Sequence, residues 1–207
     1  ALALAIWPLL LAGWFILAVG IAARRVGDNA TLHIALGLAS LYVYTSVRFH
    51  PGGIDHHNIQ LALVMTIAAM LVDPLYRTGS YVSAGIATAL AIAIGAETVP
   101  MVAIACLCVT LQWVWHGHYF RRAAAGFGLS LALAVTAALF ATVPPQLYST
   151  VTCDNLSIGF QAPTALGGTG LFLCSLLPAS VGRKARFGAM VLLGIVALVA
   201  TKLIAPQ

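Results

Sequence analysis

From Ala3 to Ala23 the chain runs without one charged side chain, and similar runs recur almost to its end. Such runs limit the fold more than any motif does. A helix needs about 20 apolar residues to cross about 30 Å of hydrocarbon, and in that layer only a helix or a closed barrel can pair its own backbone. Apolar residues make up 61% of the 207 and charged residues 7%, whereas soluble domains carry about a quarter charged residues. The reading is an integral membrane protein: an all-α, polytopic transmembrane bundle with room for about eight spans and no sizeable soluble domain.

The spans are expected at Ala3–Ala23, Thr31–Val47, Asn58–Val72, Tyr81–Ala96, Met101–Trp115, Ala123–Val143, Gly168–Val181 and Phe187–Ile204, within one transmembrane domain over 1–207. Asp73-Pro74 ends the third, because proline cannot continue the helical ladder. A one-turn break at Glu97-Thr98-Val99-Pro100 divides the fourth from the fifth. Two connections have the polar content to carry function: residues 48–57, and the loop 144–167, whose length is itself unusual for a structureless connection. The chain starts at Ala1 with no basic leader, which does not fit a secretory signal and leads to the expectation of a fragment lacking upstream residues.

Charge orients the spans. With the end of the first span in the cytoplasm, simple alternation puts Arg24, Arg25, Arg77, Arg121, Arg122, Arg183, Lys184 and Arg186 on that side, as the positive-inside rule requires. The net charge of +5 is then a topology signal and not a nucleic-acid footprint. The same alternation sends Arg48, His50, Asp55, His56, His57, Glu97, Cys153 and Asp154 to the extracytoplasmic face. A bacterial or archaeal plasma membrane is the expected location, with any site in this group facing outward. Cys153 has no obvious partner there, so a bridge to a missing segment is one reading; Cys106, Cys108 and Cys174 read as small intramembrane fillers.

The polar knot Pro51-Gly52-Gly53-Ile54-Asp55-His56-His57-Asn58-Ile59-Gln60 stands out against this background. A carboxylate beside two imidazoles suits a divalent cation such as Mn²⁺, Mg²⁺ or Zn²⁺, and Glu97 can complete the shell. In an extended segment Asp55 and His57 point the same way and His56 points elsewhere, which favours Asp55 and His57 as ligands. The plainer alternative makes Asp55 the N-cap of the third span, a role compatible with the first. Glu97, at the end of a helix, reads either as a solvated turn residue or as a functional carboxylate at membrane depth. Arg48 reads as a headgroup anchor or, with His50 and His56, as a contact for substrate phosphate.

The segment Gly53-Ile54-Asp55-His56-His57-Asn58-Ile59-Gln60 resembles the second acidic motif of oligosaccharyltransferase catalytic subunits, and more broadly the chain is similar to the GT-C superfamily of membrane glycosyltransferases. The resemblance covers about residues 45–100 and implies metal ligation by Asp55 and His57. It also implies a polyprenyl-phosphate-linked sugar as donor, transferred at the outer face with Asp55 and Glu97 as catalytic carboxylates. The family's first acidic motif has no counterpart, since Asp28, the one acidic residue before Asp55, sorts to the cytoplasmic side; no Trp-Trp-Asp type motif occurs, and the spans are fewer. Other expected partners are membrane lipids, a missing N-terminal segment or companion membrane subunits. A non-catalytic subunit that packs through its many Gly and Ala residues is the alternative function. A metal or small-solute transporter is a third, disfavoured by the scarcity of ionisable residues within the spans.

Overall fold

The computed structural model describes residues 2–53, 55–152 and 154–204. Among them are eight α-helices and no strand: α1 (Leu2–Val26), α2 (Asn29–Thr45), α3 (His56–Leu71), α4 (Thr78–Ile94), α5 (Val99–His116), α6 (Arg121–Thr142), α7 (Ile158–Ser175) and α8 (Arg183–Ile204). Contacts gather into two compact units, Ala1–Pro74 and Leu75–Gln207.

Three helical stretches are long and apolar enough to cross a membrane: Ala3–Val26, Ala96–Thr142 and Arg183–Ile204. The protein is therefore a helical integral membrane protein, but the expectation of about eight spans is not supported. The reason is length. With 16 residues in α3 and 17 in α4, these apolar helices reach about 24 to 26 Å at 1.5 Å per residue, short of about 30 Å of hydrocarbon. The stretch Ala96–Thr142 is divided between α5 and α6 by a 3₁₀ turn at Gly117–Phe120. Large apolar side chains on α8, among them Leu192, Leu198 and Leu203, are more than half exposed, as a lipid-facing helix allows.

In the first unit α1 packs on both α2 and α3. The core is Leu11, Ala12 and Phe15 of α1, Ala39 of α2, Ala62 of α3 and Phe49 from the connection between them. Trp14 Nε1 donates to Thr66 Oγ1 at 2.9 Å across α1 and α3. At the other end of that contact Arg25 donates to the carbonyls of Ala69 at 2.6 Å and Met70 at 3.3 Å, and its Nη2 lies 3.5 Å from the buried Asp73 carboxylate. The last carbonyls of a helix have no partner within it. A guanidinium can meet several such oxygens and a carboxylate at once, which a lysine ammonium on its single point of charge does less well.

The second unit is organised around α6, which lies between α4 and α7, with α8 on α7. Small residues set these crossings. A Cβ built on Gly85 would lie 2.6 Å from the Phe127 carbonyl oxygen, and one on Gly168 would lie 2.7 Å from that of Gly128. Backbones this close are the usual means of associating helices where lipid removes the hydrophobic drive between them. Gly168, expected to begin a short seventh span, is thus a mid-helix packing residue. Helix α7 starts ten residues earlier, at Ile158, and carries Pro163 within it. Much of the expected loop 144–167 is consequently helical, with a 3₁₀ turn at Pro145–Leu147 before it.

Two outcomes test this packing. Asp73→Ala, which strands Arg25 beside a removed buried charge, should destabilise the protein by about 3 kcal/mol or more, read by thermal unfolding in detergent. Gly168→Val should cost roughly 1–3 kcal/mol through overpacking at the α6–α7 crossing, whereas Gly167→Val, where a Cβ meets nothing within 4 Å, should not.

Candidate metal centre at the start of α3

The polar knot is held in place before any of its titratable groups is reached. After α2 the chain makes a 3₁₀ turn over Val47–Phe49, and the Phe49 ring is buried 5.8 Å from that of Phe15. The next four residues form a β-turn in which Gly53 N–H donates to the His50 carbonyl at 3.0 Å. Pro51 sets the second position, and Gly52 at φ +92° supplies the positive dihedral that the third position of a type II turn demands. The Gly52 N–H donates to the Leu4 carbonyl at 3.1 Å, tying the turn to α1. The Asn58 amide of α3, fully buried, donates to the Gly53 carbonyl at 3.0 Å. Ile54 lies outside the described residues.

Asp55 is the N-cap of α3, with extended backbone and a carboxylate that accepts from the His57 N–H at 3.2 Å. His56 and His57 are accordingly the first two helical residues. The alternation of an extended segment, which set Asp55 and His57 apart from His56, does not apply to them. His56 Nδ1 lies 3.2 Å from Asp55 Oδ1, the two imidazole rings are 4.2 Å apart, and one donor atom from each of the three residues falls within 4.8 Å of the others. His57 Nδ1 lies 2.9 Å from Gln60 Oε1. An amide oxygen only accepts, so Nδ1 is the donor in this contact, which fixes the orientation of the ring. This is the way metal-ligating histidines are usually oriented.

Donors bound to one zinc-like ion at about 2.0–2.2 Å lie no more than about 4.4 Å apart. The three donor atoms lie within 4.8 Å of one another, near that limit, and one carboxylate oxygen with two imidazole nitrogens is a donor set that Mn²⁺ or Zn²⁺ accepts. The residues present fit a divalent cation. Asp55 and His56 side chains are 42% and 53% exposed, so a substrate or water can approach. Beneath them Asn58 Oδ1 and Gln60 Nε2 are buried without a hydrogen-bond partner among the described residues.

The remaining candidate residues are dispersed. Arg48 and His50 stand exposed on the preceding turn, where His50 Nε2 lies 3.4 Å from the Tyr44 carbonyl. Glu97 belongs to the second unit. It is exposed in a 3₁₀ turn at Ala96–Thr98 that runs directly into α5, so it sits by the positive end of that helix's dipole and not at the costly negative end of α4. Asp28 is the N-cap of α2, its Oδ1 accepting from both Thr31 N–H and Thr31 Oγ1 at 2.9 Å. Cys153 lies outside the described residues. The sequence reading gave neither Asn58 nor Gln60 a part in the site; their signal was two amides in the first turns of an apolar helix, three and five residues beyond Asp55.

In the second unit a cavity of about 360 Å³ has a mainly apolar lining that includes Ile92, Cys106, Phe127 and Leu171. It offers no cluster of titratable groups. No protein family, characterised protein or solved structure matches the chain.

The hydrogen bonds from Thr31, the backbone N–H foremost, hold the Asp28 carboxyl below its ordinary pKa of 3.8. A depressed folded-state value means that the contribution to stability is present above the unfolded value and lost as pH falls through the folded one. The stability difference between the native chain and Asp28→Ala should therefore be full near neutrality and shrink below about pH 4, as followed by thermal unfolding across pH.

Proposed function

We propose that Asp55, His56 and His57 hold a divalent cation and that the protein is a membrane glycosyltransferase using a polyprenyl-phosphate-linked sugar at the extracytoplasmic face. The observation that carries this reading is the convergence of one carboxylate and two imidazoles within 4.8 Å, on a helix start buttressed by Gln60, Asn58 and the type II turn. The resemblance of this segment to the GT-C motif supplies the substrate class, and the distribution of basic residues along the chain supplies the sidedness.

The cation would offset the charge that develops on a phosphate leaving group. The chain's own residues prepare for that in distinct ways. Asp55 contributes negative charge and a fixed position through its cap bond. Gln60 Oε1, facing His57 Nδ1 at 2.9 Å, holds the orientation of that imidazole. Arg48 and His50, exposed on the adjoining turn, are suited to phosphate oxygens, arginine through its two parallel donors. In the transfer an acceptor nucleophile attacks the anomeric carbon, the bond from that carbon to the phosphate oxygen breaks with its electron pair, and the acceptor's proton passes to water. This reading rests on first-unit residues alone; Glu97 has no step in it.

A non-catalytic membrane subunit is favoured by one observation. The cap bond from the His57 N–H to the Asp55 carboxylate accounts for that carboxylate with no metal at all.

Asp55→Asn separates the two, because asparagine caps a helix about as well as aspartate but is a poor ligand for a hard cation. In the full chain it should leave thermal stability unchanged while lowering Mn²⁺ affinity, read by electron paramagnetic resonance, by at least about tenfold. Sugar transfer from a polyprenyl phosphate should fall by about a hundredfold. Unchanged Mn²⁺ binding would overturn the metal site; weakened binding with unchanged transfer would overturn the enzyme assignment and leave the metal.

A further inference from the structure

Five basic residues of the second unit gather at one end, while Lys202 lies in the last turn of α8. Arg121 and Arg122 open α6, and Arg183, Lys184 and Arg186 fall in the first turn of α8. Arg186 is drawn against the turn that joins α5 to α6: its guanidinium occupies the place where a Cβ on Gly117 would stand, and Gly117 has φ +58°. Both side-chain carboxylates of this unit lie elsewhere. Glu97 precedes α5, whose 18 residues span about 27 Å to this turn. Asp154 follows α6, whose 22 residues span about 33 Å away from it. Cations in the first turn of α8 also oppose that helix's own dipole, whose N-terminal end favours an anion.

Directly beside these charges is an apolar groove of about 530 Å³, lined by Leu111, Val114 and Trp115 of α5 and by Arg183, Lys184 and Phe187 of α8. Its size is within the roughly 300–1,000 Å³ of sites that enclose drug-sized ligands. Arg183 closes one side, with its guanidinium carbon 3.9 Å above the Trp115 ring centroid. A guanidinium held over an aromatic ring keeps N–H groups that can meet two phosphate oxygens at once. Trp115 itself is 62% exposed, an amphipathic ring at the end of an apolar helix, as at a membrane interface.

We propose that this groove is a binding site for an anionic phospholipid, with an acyl chain along Leu111, Val114 and Phe187 and the phosphate at Arg183 and Lys184. The uncompensated charge selects an anionic headgroup, and the apolar floor continuous with that charge selects a lipid over a soluble phosphate. The site is independent of the metal centre and of the transferase reading.

The test uses the full chain in phosphatidylcholine vesicles doped with brominated phosphatidylglycerol or with brominated phosphatidylcholine. The readout is the quenching of the fluorescence that Trp115→Phe removes. Two basic residues at a membrane surface give an expected preference of about tenfold or more for the anionic lipid. Arg183→Gln with Lys184→Gln should abolish it, and the charge-matched pair Arg122→Gln with Lys202→Gln should leave it in place. Should the first pair fail to fold by circular dichroism, Lys184→Gln alone, at an exposed position, serves the same purpose and should reduce the preference severalfold. Equal quenching by both brominated lipids, or a preference that survives loss of Arg183 and Lys184, would overturn the site. Displacement of the brominated lipid by millimolar inorganic phosphate would overturn the lipid assignment in favour of a soluble anion.

Discussion

A backbone carbonyl without a hydrogen bond has no water to turn to in hydrocarbon, and the ends of helices are where such carbonyls accumulate. The bond from Arg25 to the carbonyls of Ala69 and Met70, with Asp73 beside it, meets that demand for α3. It does so from another helix, so it also clamps α1 to α3 and sets the frame in which the opposite end of α3 presents Asp55. Asp28 and Asp55 answer the same requirement at helix starts, by accepting from Thr31 and His57. The five acidic residues of this chain are too few to be spent on solubility, and three of them are engaged at helix ends.

The same scarcity of polar surface governs how helices associate. With lipid as apolar as leucine, close backbone approach replaces hydrophobic burial as the source of contact energy. Gly85, Gly128 and Gly168 lie where α4, α6 and α7 approach nearest, and α6 is the element that the others meet. A helix that must bring two backbones this near cannot trade glycine for a larger residue, even though glycine weakens an isolated helix.

The proposed metal centre and the proposed lipid groove both place ionisable groups at helix ends, but differ in what surrounds them. At the start of α3 a carboxylate and two imidazoles converge, with Gln60 holding one ring and Asn58 the preceding turn. At the start of α8 the charges are all of one sign and border an apolar wall. The first arrangement suits a cation and the second an anion joined to a hydrocarbon chain, on the elementary grounds of charge and polarity.

Membrane residence, helical class and most helix positions were legible in the residues themselves, because long uncharged runs bounded by Arg24-Arg25, Asp73-Pro74 or Arg121-Arg122 have few other solutions. The special residues at Pro51, Gly52 and Asp55 likewise announce a turn and a cap through local backbone chemistry. What α7 is could not be read this way: Pro163 and Gly167-Gly168 signal a break locally, yet α6 packs against Gly168 and the helix runs through all three. Nor could spacing decide whether His56 or His57 approaches Asp55, since that depends on the helix beginning at His56, or find Gln60 as the partner of His57 Nδ1. The long uncharged runs determined that this chain lives in lipid as helices, since burial in hydrocarbon is a property of composition; the tertiary structure alone decided which helix ends, glycines and side-chain atoms meet, since those are contacts between residues far apart in the chain.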